Sequence, residues 1–179
     1  MNGNAKNYAD ALFALAHDEG IDELIRTQLS EVCWLFDENP DYIKLLSAPN
    51  IPKEERVAAL DEAFSGRVHP WLLNWLKLLC ERGYIYAYRD CARSYQVSFN
   101  AAHGILAVKV IAAVLLRVEQ MEKLRKRLCE LTGKRVELEG RMDPSVLGGI
   151  RLQYEDVELD GTVRQRLEGL KKTLSDTVL

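Results

Sequence analysis

Apolar and polar positions alternate with a helical period from residue 4 to residue 103. Apolar side chains recur three or four positions apart, and glycine, proline or short polar stretches interrupt the repeats. The pattern predicts six helices, which begin near residues 4, 22, 40, 52, 70 and 85. Six helices joined by loops of a few residues are typical of a compact helical bundle.

The period changes at Gly104. Residues 105–114 form a nearly continuous apolar run rich in β-branched side chains, which is typical of a central strand. Residues 118–132 return to a helical period, with apolar positions along one face. We therefore place a domain boundary between His103 and Gly104, which separates domain 1–103 from domain 104–179.

The second domain continues with two predicted strands. Val136, Leu138 and Met142 recur at even spacing, which gives the first strand one buried face. Apolar side chains alternate again over residues 150–154, with a turn between, so we expect a hairpin. A last helix is predicted over residues 163–174, with Asp160 or Thr162 as its N-cap. The predicted fold class is α+β: an N-terminal six-helix bundle followed by a small β-α-β-β-α domain.

The turns of this second domain carry a distinctive set of residues. Asp143 precedes a proline and can accept hydrogen bonds from backbone amides beyond it. Gly148 and Gly149 stand at the entrance of the next strand and allow positive φ or a very close backbone approach. Asp160 and Gly161 follow the last extended segment. We interpret these five positions as a structural signature and not as a site of chemistry.

This signature resembles that of a known family. Residues 136–155, followed by 157–167, resemble the C-terminal signature of the delta subunit of F-type ATP synthases, a bacterial-type relative of the mitochondrial oligomycin sensitivity-conferring protein. The resemblance continues in the same order through most of the chain, over residues 8–16, 46–49, 78–83 and 110–120.

The resemblance implies a mechanical function. Such a protein is a non-catalytic stator subunit without cofactors or metals, present as one copy per complex. Its helical bundle, domain 1–103, binds the N-terminal helices of alpha subunits on the catalytic alpha–beta hexamer. Its α+β domain, 104–179, binds the C-terminal coiled coil of the b subunit. The expected location is the cytoplasmic face of the plasma membrane, where the protein is held only through the complex.

The fifth predicted helix is more apolar than a core requires. Seven large apolar residues fall between positions 71 and 79, and Trp75 and Leu78 lie one helical turn apart. They would share a face with Tyr8 and Ala11 of the first helix if the two helices pack side by side. A groove of this kind can receive an amphipathic helix. Periodicity alone leaves open that all these residues are core, whereas the resemblance favours a partner-binding surface.

Composition restricts the class of protein further. The chain has 179 residues, 47% of them hydrophobic and 28% charged, which is ordinary for one or two globular domains. No apolar run is long enough to span a bilayer, and the N-terminal residues lack the apolar core of a secretory signal. Residues 1–103 carry 10 Lys and Arg against 15 Asp and Glu, which argues against nucleic acid as the partner.

Candidate chemistry is weak along the whole chain. The four cysteines have no paired spacing, so we expect reduced, buried and inert thiols, with a Cys80–Cys91 bridge as the alternative. The three histidines are expected near helix ends. Gly148 and Gly149 lack the Lys and Ser or Thr of a phosphate-binding loop. Two rival functions stay open from the residues: a two-domain nucleic-acid-binding or scaffolding adaptor, and a small transferase using the glycine pair near Asp143.

Overall fold

The computed structural model describes residues 3–146, 148–154 and 157–161. The chain divides into two compact units, Met1–Ala101 and Ala102–Leu179. Described helices make up the first unit, and a sheet with a packed helix makes up the second, so the fold is α+β. Of the helices in these ranges, none combines the length and the apolar content that crossing a bilayer requires.

Helices of the first unit lie over the segments where apolar spacing predicts them. They are α1 (Gly3–Asp18), α2 (Asp22–Glu38), α3 (Pro40–Ser47), α4 (Lys53–Phe64), α5 (Pro70–Glu81) and α6 (Tyr88–Ala102), with a 3₁₀ turn at Ile85–Ala87 before α6. Proline occupies the first turn of α3 and α5, where its missing N–H removes no intrahelical bond. His69 caps α5, because its ring Nδ1 accepts a hydrogen bond from the backbone N–H of Trp71 at 3.3 Å.

Large side chains fill the centre of the first unit. The ring of Phe36 packs edge-on against Phe64 and Tyr88, with centroid distances of 5.8 and 5.1 Å. Arg56 is buried, and its guanidinium donates to the carbonyl oxygen of Leu46 at 3.0 Å, near the C-terminal end of α3. This contact satisfies a carbonyl that has no partner within its own helix.

The second unit is built around one central strand. Its described elements are β1 (Ile105–Ala112), α7 (Val118–Thr132), β2 (Arg135–Met142), β3 (Ile150–Tyr154) and β4 (Val157–Asp160). The sheet order is β2-β1-β3-β4, with β1 parallel to β2 and antiparallel to β3. A parallel pair needs a crossover, which α7 supplies. Leu128 and Cys129 of α7 pack on the buried side chains of Leu106, Val108 and Val136.

The sheet corrects three expectations from the sequence. Residues 136–142 and 150–154 do not pair as a hairpin, because β1 lies between them. Two strands follow β2 and not one, since Val157–Asp160 pairs antiparallel with β3. Met142, expected on the buried face, is 57% exposed at the end of the edge strand β2. The predicted helix over residues 163–174 and its alternative N-cap Thr162 lie outside the described residues and stay a prediction.

The strand order can be tested with paired cysteines. Lys109 faces Gln153 across β1 and β3, and both side chains are exposed. Facing residues on neighbouring strands have the separation that a disulfide needs. We expect Lys109→Cys with Gln153→Cys to form a disulfide under mild oxidation, detected by peptide mapping in a mass spectrometer.

The matched control for this experiment is Glu139→Cys with Gln153→Cys. A hairpin in which Met142 faces Ile150 would pair these two positions directly. The observed sheet instead puts β1 between them, at about 10 Å, twice the spacing of neighbouring strands. If the control pair formed a disulfide more readily than the first pair, the strand order would be contradicted.

Candidate functional site

An apolar groove runs between α1 and α5 in the first unit. It has a volume of about 430 Å³. Four residues of each helix line it: Tyr8, Ala11, Leu12 and Leu15 from α1, and Trp71, Asn74, Trp75 and Leu78 from α5. None of these eight side chains carries a formal charge at neutral pH. The groove thus brings together all four residues that the sequence analysis predicted for a partner-binding surface.

The spacing of the lining residues explains why they meet. On each helix they fall at positions i, i+3, i+4 and i+7, which place side chains in one stripe along a helix. The neighbouring stripe of α1 is the buried one, and it consists largely of alanine: Ala5, Ala9 and Ala16 beside Leu12. Small side chains let α1 lie close against the rest of the unit. Of the larger lining residues of α1, Leu12 is buried, Tyr8 is half-buried and Leu15 is exposed on the rim.

Trp75 fixes the two helices to each other. Its side chain is 6% exposed, and its indole Nε1–H donates to the backbone carbonyl oxygen of Tyr8 at 2.9 Å. The ring of Tyr8 packs in turn against Tyr84, with centroids 5.8 Å apart. Trp75 is therefore a core residue that also forms part of the groove wall. The sequence left these two roles open as alternatives, and the structure combines them.

Other lining residues are poorly covered. Leu78 is 38% exposed and Leu15 is 55% exposed, while Trp71 is half-buried and held edge-on against the His69 ring at 5.7 Å. Leaving apolar area in water forfeits about 25 cal/mol for each Å². Contiguous exposed apolar surface of this kind commonly marks an interaction site.

Sequence reasoning missed half of the groove. Leu12, Leu15, Trp71 and Asn74 were not predicted as lining residues. The signal was present: extending the pairs Tyr8–Ala11 and Trp75–Leu78 by the same helical spacing gives the complete stripe on each helix. Asn74 is not part of the apolar pattern, because its side chain ends in a polar amide.

The signature residues of the second unit shape turns. The backbone N–H of Ser145 donates to the Asp143 carboxylate at 2.9 Å, and the backbone N–H of Asp143 donates to the Ala112 carbonyl oxygen at 2.9 Å. Gly148 and Gly149 have φ of 67° and 81°, a region that L side chains rarely adopt. These contacts and conformations carry the chain from β2 past the end of β1 and into β3.

Asp160 and Gly161 lie at the same end of the sheet as these turns, where β4 ends opposite the start of β3. The Asp160 carboxylate lies 3.8 Å from Arg151 Nε, which also pairs with Glu158 at 2.9 Å. The Gly161 N–H donates to the Ile150 carbonyl oxygen at 3.0 Å, and a Cβ at Gly161 would meet that oxygen at 3.2 Å. The geometry of these residues is that of strand pairing and close backbone approach.

Three of the four thiols are held in a protonated, unreactive form. All four cysteines are free, including Cys80 and Cys91, which the sequence offered as an alternative bridge. Burial raises the pKa of Cys33 to about 12 and that of Cys91 to about 11, and it also raises the pKa of Cys80. Since the thiolate is the reactive form, these side chains are protonated and unreactive at neutral pH. Cys33 and Cys129 are only half-buried, in contrast to the expectation of full burial.

Comparison with known proteins gives one consistent result. The profile described as "ATP synthase delta (OSCP) subunit" matches residues 5–174. The chain is 35% identical over 173 residues to the ATP synthase subunit delta of Gloeobacter violaceus, covering 96% of this chain and 94% of the relative. It is 31% identical to the subunit of the same name from Moorella thermoacetica, covering 95% of each chain.

The fold also matches a solved structure. A chain of the Toxoplasma gondii mitochondrial ATP synthase hexamer superposes with a TM-score of 0.72 at 19% identity, over 95% of this chain and 96% of that chain. At this identity the match concerns the fold alone, and it extends over both compact units.

The double role of Trp75 gives a prediction about stability. Trp75→Ala removes a buried indole and leaves a cavity, so the free energy of unfolding of the first unit should fall by about 3–5 kcal/mol. Leu78→Ala, at an exposed position of the same helix, should lower it by less than about 1 kcal/mol. Urea unfolding followed by fluorescence of the remaining tryptophans measures both. Equal losses would contradict the assignment of Leu78 to the groove rim.

A second prediction concerns pH. The hydroxyl and backbone N–H of Ser145 hydrogen-bond the Asp143 carboxylate and lower its pKa below the usual value. The ionised carboxylate therefore stabilises the folded turn above the unfolded-state pKa of about 4, and this contribution is lost as the pH falls through the folded-state pKa. We expect a carboxyl NMR titration to give a depressed midpoint for Asp143. Ser145→Ala should raise that midpoint towards the usual value, and an unchanged midpoint would contradict this origin of the shift.

Proposed function

This chain belongs to the ATP synthase delta (OSCP) subunit family, and we propose that it acts through two separate binding surfaces, one on each compact unit. It is a non-catalytic stator subunit of the ATP synthase, part of the peripheral stalk. This function replaces the two rivals that the residues alone left open, the nucleic-acid-binding or scaffolding adaptor and the transferase.

The first surface is the groove between α1 and α5. We propose that it binds the N-terminal helices of alpha subunits, as the family resemblance implies. The observation that carries this proposal is that α1 and α5 each present a stripe of lining residues, and the two stripes form an uncharged groove. Binding of the apolar face of an amphipathic helix in such a groove is a common mode of recognition. Trp71, Trp75 and Tyr8 are of the residue types that dominate binding energy at interfaces.

The second surface belongs to the unit that contains the sheet. We propose that this unit binds the C-terminal end of the b subunit. Exposed apolar residues support a contact surface here, on α7, on the segment that precedes it and on the edge strands: Val114, Leu115, Val118, Leu131, Met142 and Leu159.

Together the two surfaces would have a mechanical function without chemistry: they would hold the hexamer against torque. Proton flow through the membrane sector turns the central rotor, and the catalytic hexamer must be held still for the torque to drive ATP synthesis. On this proposal one copy of the chain connects the hexamer to the b subunits. The subunit contributes binding free energy and no transition-state stabilisation. The membrane is reached only through the complex, and we place the protein on the cytoplasmic face of the plasma membrane.

Peptide binding tests the groove directly. Leu78→Asp puts a carboxylate on the apolar rim, where a docked helix would desolvate it. We expect the affinity for a peptide of the alpha-subunit N terminus to fall by roughly tenfold or more, which corresponds to about 1.4 kcal/mol. Titration in a Trp34→Phe background, followed by the fluorescence of the two remaining tryptophans, Trp71 and Trp75, reports on the groove because both line it and Trp34 does not.

Two controls make this experiment specific. Leu45→Asp alters a leucine of matched exposure, 40% against 38%, that does not line the groove, and it should leave peptide affinity unchanged. The Leu78→Asp protein should still co-purify with the C-terminal segment of the b subunit. If the wild-type chain does not bind the alpha peptide, or if both aspartate variants bind it equally well, the groove is not the binding site.

A further inference from the structure

Asn74 is the exception among the residues that line the groove. The other seven side chains are aliphatic or aromatic, whereas Asn74 ends in a carboxamide. The residue is exposed, and no hydrogen bond engages its side chain within the part of the chain that the structure describes. Trp71 and Leu78, one turn on either side, place it in the middle of the α5 stripe. An amide in this position is solvated in the free protein and would be covered in the complex.

Covering this amide has a defined physical consequence. Taking a carboxamide out of water without giving it a hydrogen-bond partner has a large free-energy cost. When the carboxamide meets a partner group, the transfer is nearly neutral or favourable. A single polar residue within an apolar helix interface therefore selects one register at some cost in total stability. The partner group must itself be uncharged, because the lining offers no opposite charge to neutralise an ion.

We propose that Asn74 sets the register of the bound helix by pairing with one uncharged hydrogen-bonding side chain, an amide or a hydroxyl, in the middle of that helix's otherwise apolar face. This inference rests on the proposed function of the groove. The partner helix thus carries apolar residues one turn before and one turn after a central polar residue, which match Trp71 and Leu78. A helix with an uninterrupted apolar face is disfavoured, because it would leave the Asn74 amide covered and unpaired.

Synthetic helices test this selectivity. The probes are three peptides with the same length and charge: one with leucine at every position of the apolar face, one with glutamine at the central position, and one with that glutamine moved by a helical turn. The full-length wild-type chain should bind the central-glutamine peptide about tenfold more tightly than either other peptide. Asn74→Leu, which makes the lining wholly apolar at similar volume, should reverse the preference and favour the all-leucine peptide.

A matched variant controls for added apolar surface. Asn7→Leu makes the same change at an exposed position of α1 that does not line the groove, and it should leave the order of affinities unchanged. Thermal unfolding followed by circular dichroism checks that both variants fold.

The outcomes separate this inference from the proposed function. If no peptide binds the wild-type chain, the groove is not a helix receptor and both proposals fall. If all three bind and Asn74→Leu changes their affinities by the same factor, the groove binds helices but Asn74 does not set the register. The inference is supported only if the wild-type chain prefers the central-glutamine peptide and Asn74→Leu prefers the all-leucine peptide.

Discussion

The hydrogen bond from the Trp75 indole to the Tyr8 carbonyl oxygen is the contact on which the groove depends. It joins two residues that are 67 positions apart in sequence, on α1 and α5, and the indole is buried. Because the donor is a side chain and the acceptor is backbone, substitution of Tyr8 leaves the acceptor in place, whereas substitution of Trp75 removes the donor. The groove is consequently a property of the folded unit and not of either helix alone.

The sequence predicted helices well and strand pairing poorly, for a physical reason. Helices depend on spacing within one segment, so prolines at positions 40 and 70 and the apolar period fixed α1 to α6 closely. Pairing depends on which segments meet. The spacing that suggested a hairpin of residues 136–142 and 150–154 is equally compatible with both strands flanking β1. Only the three-dimensional packing of α7 on β1 and β2 distinguishes the two arrangements.

The groove was predicted in part for a similar reason. Surplus apolar residues on the fifth helix indicated a surface beyond the core, and the helical period placed Trp75 and Leu78 on one face of that helix. A shared face with Tyr8 and Ala11 depended on the two helices packing side by side, and all four residues do line the groove. Periodicity shows which residues share a face, but it does not show how far each side chain is buried. Trp75 is nearly buried and bonded to the Tyr8 carbonyl oxygen, whereas Leu78, one turn further along α5, is 38% exposed.

Binding and stability are coupled at this site. A partner that binds only the folded unit stabilises it by mass action, so an occupied groove would also protect the contact between Trp75 and Tyr8. The exposed rim leucines contribute little to the stability of the free subunit, and burying their apolar area under a helix would favour binding. A stator experiences torque continually, and a preformed groove loses little conformational entropy on binding. On the proposed function a preformed groove would serve the stator, because ordering a flexible site would subtract from the binding free energy that resists the torque of the rotor.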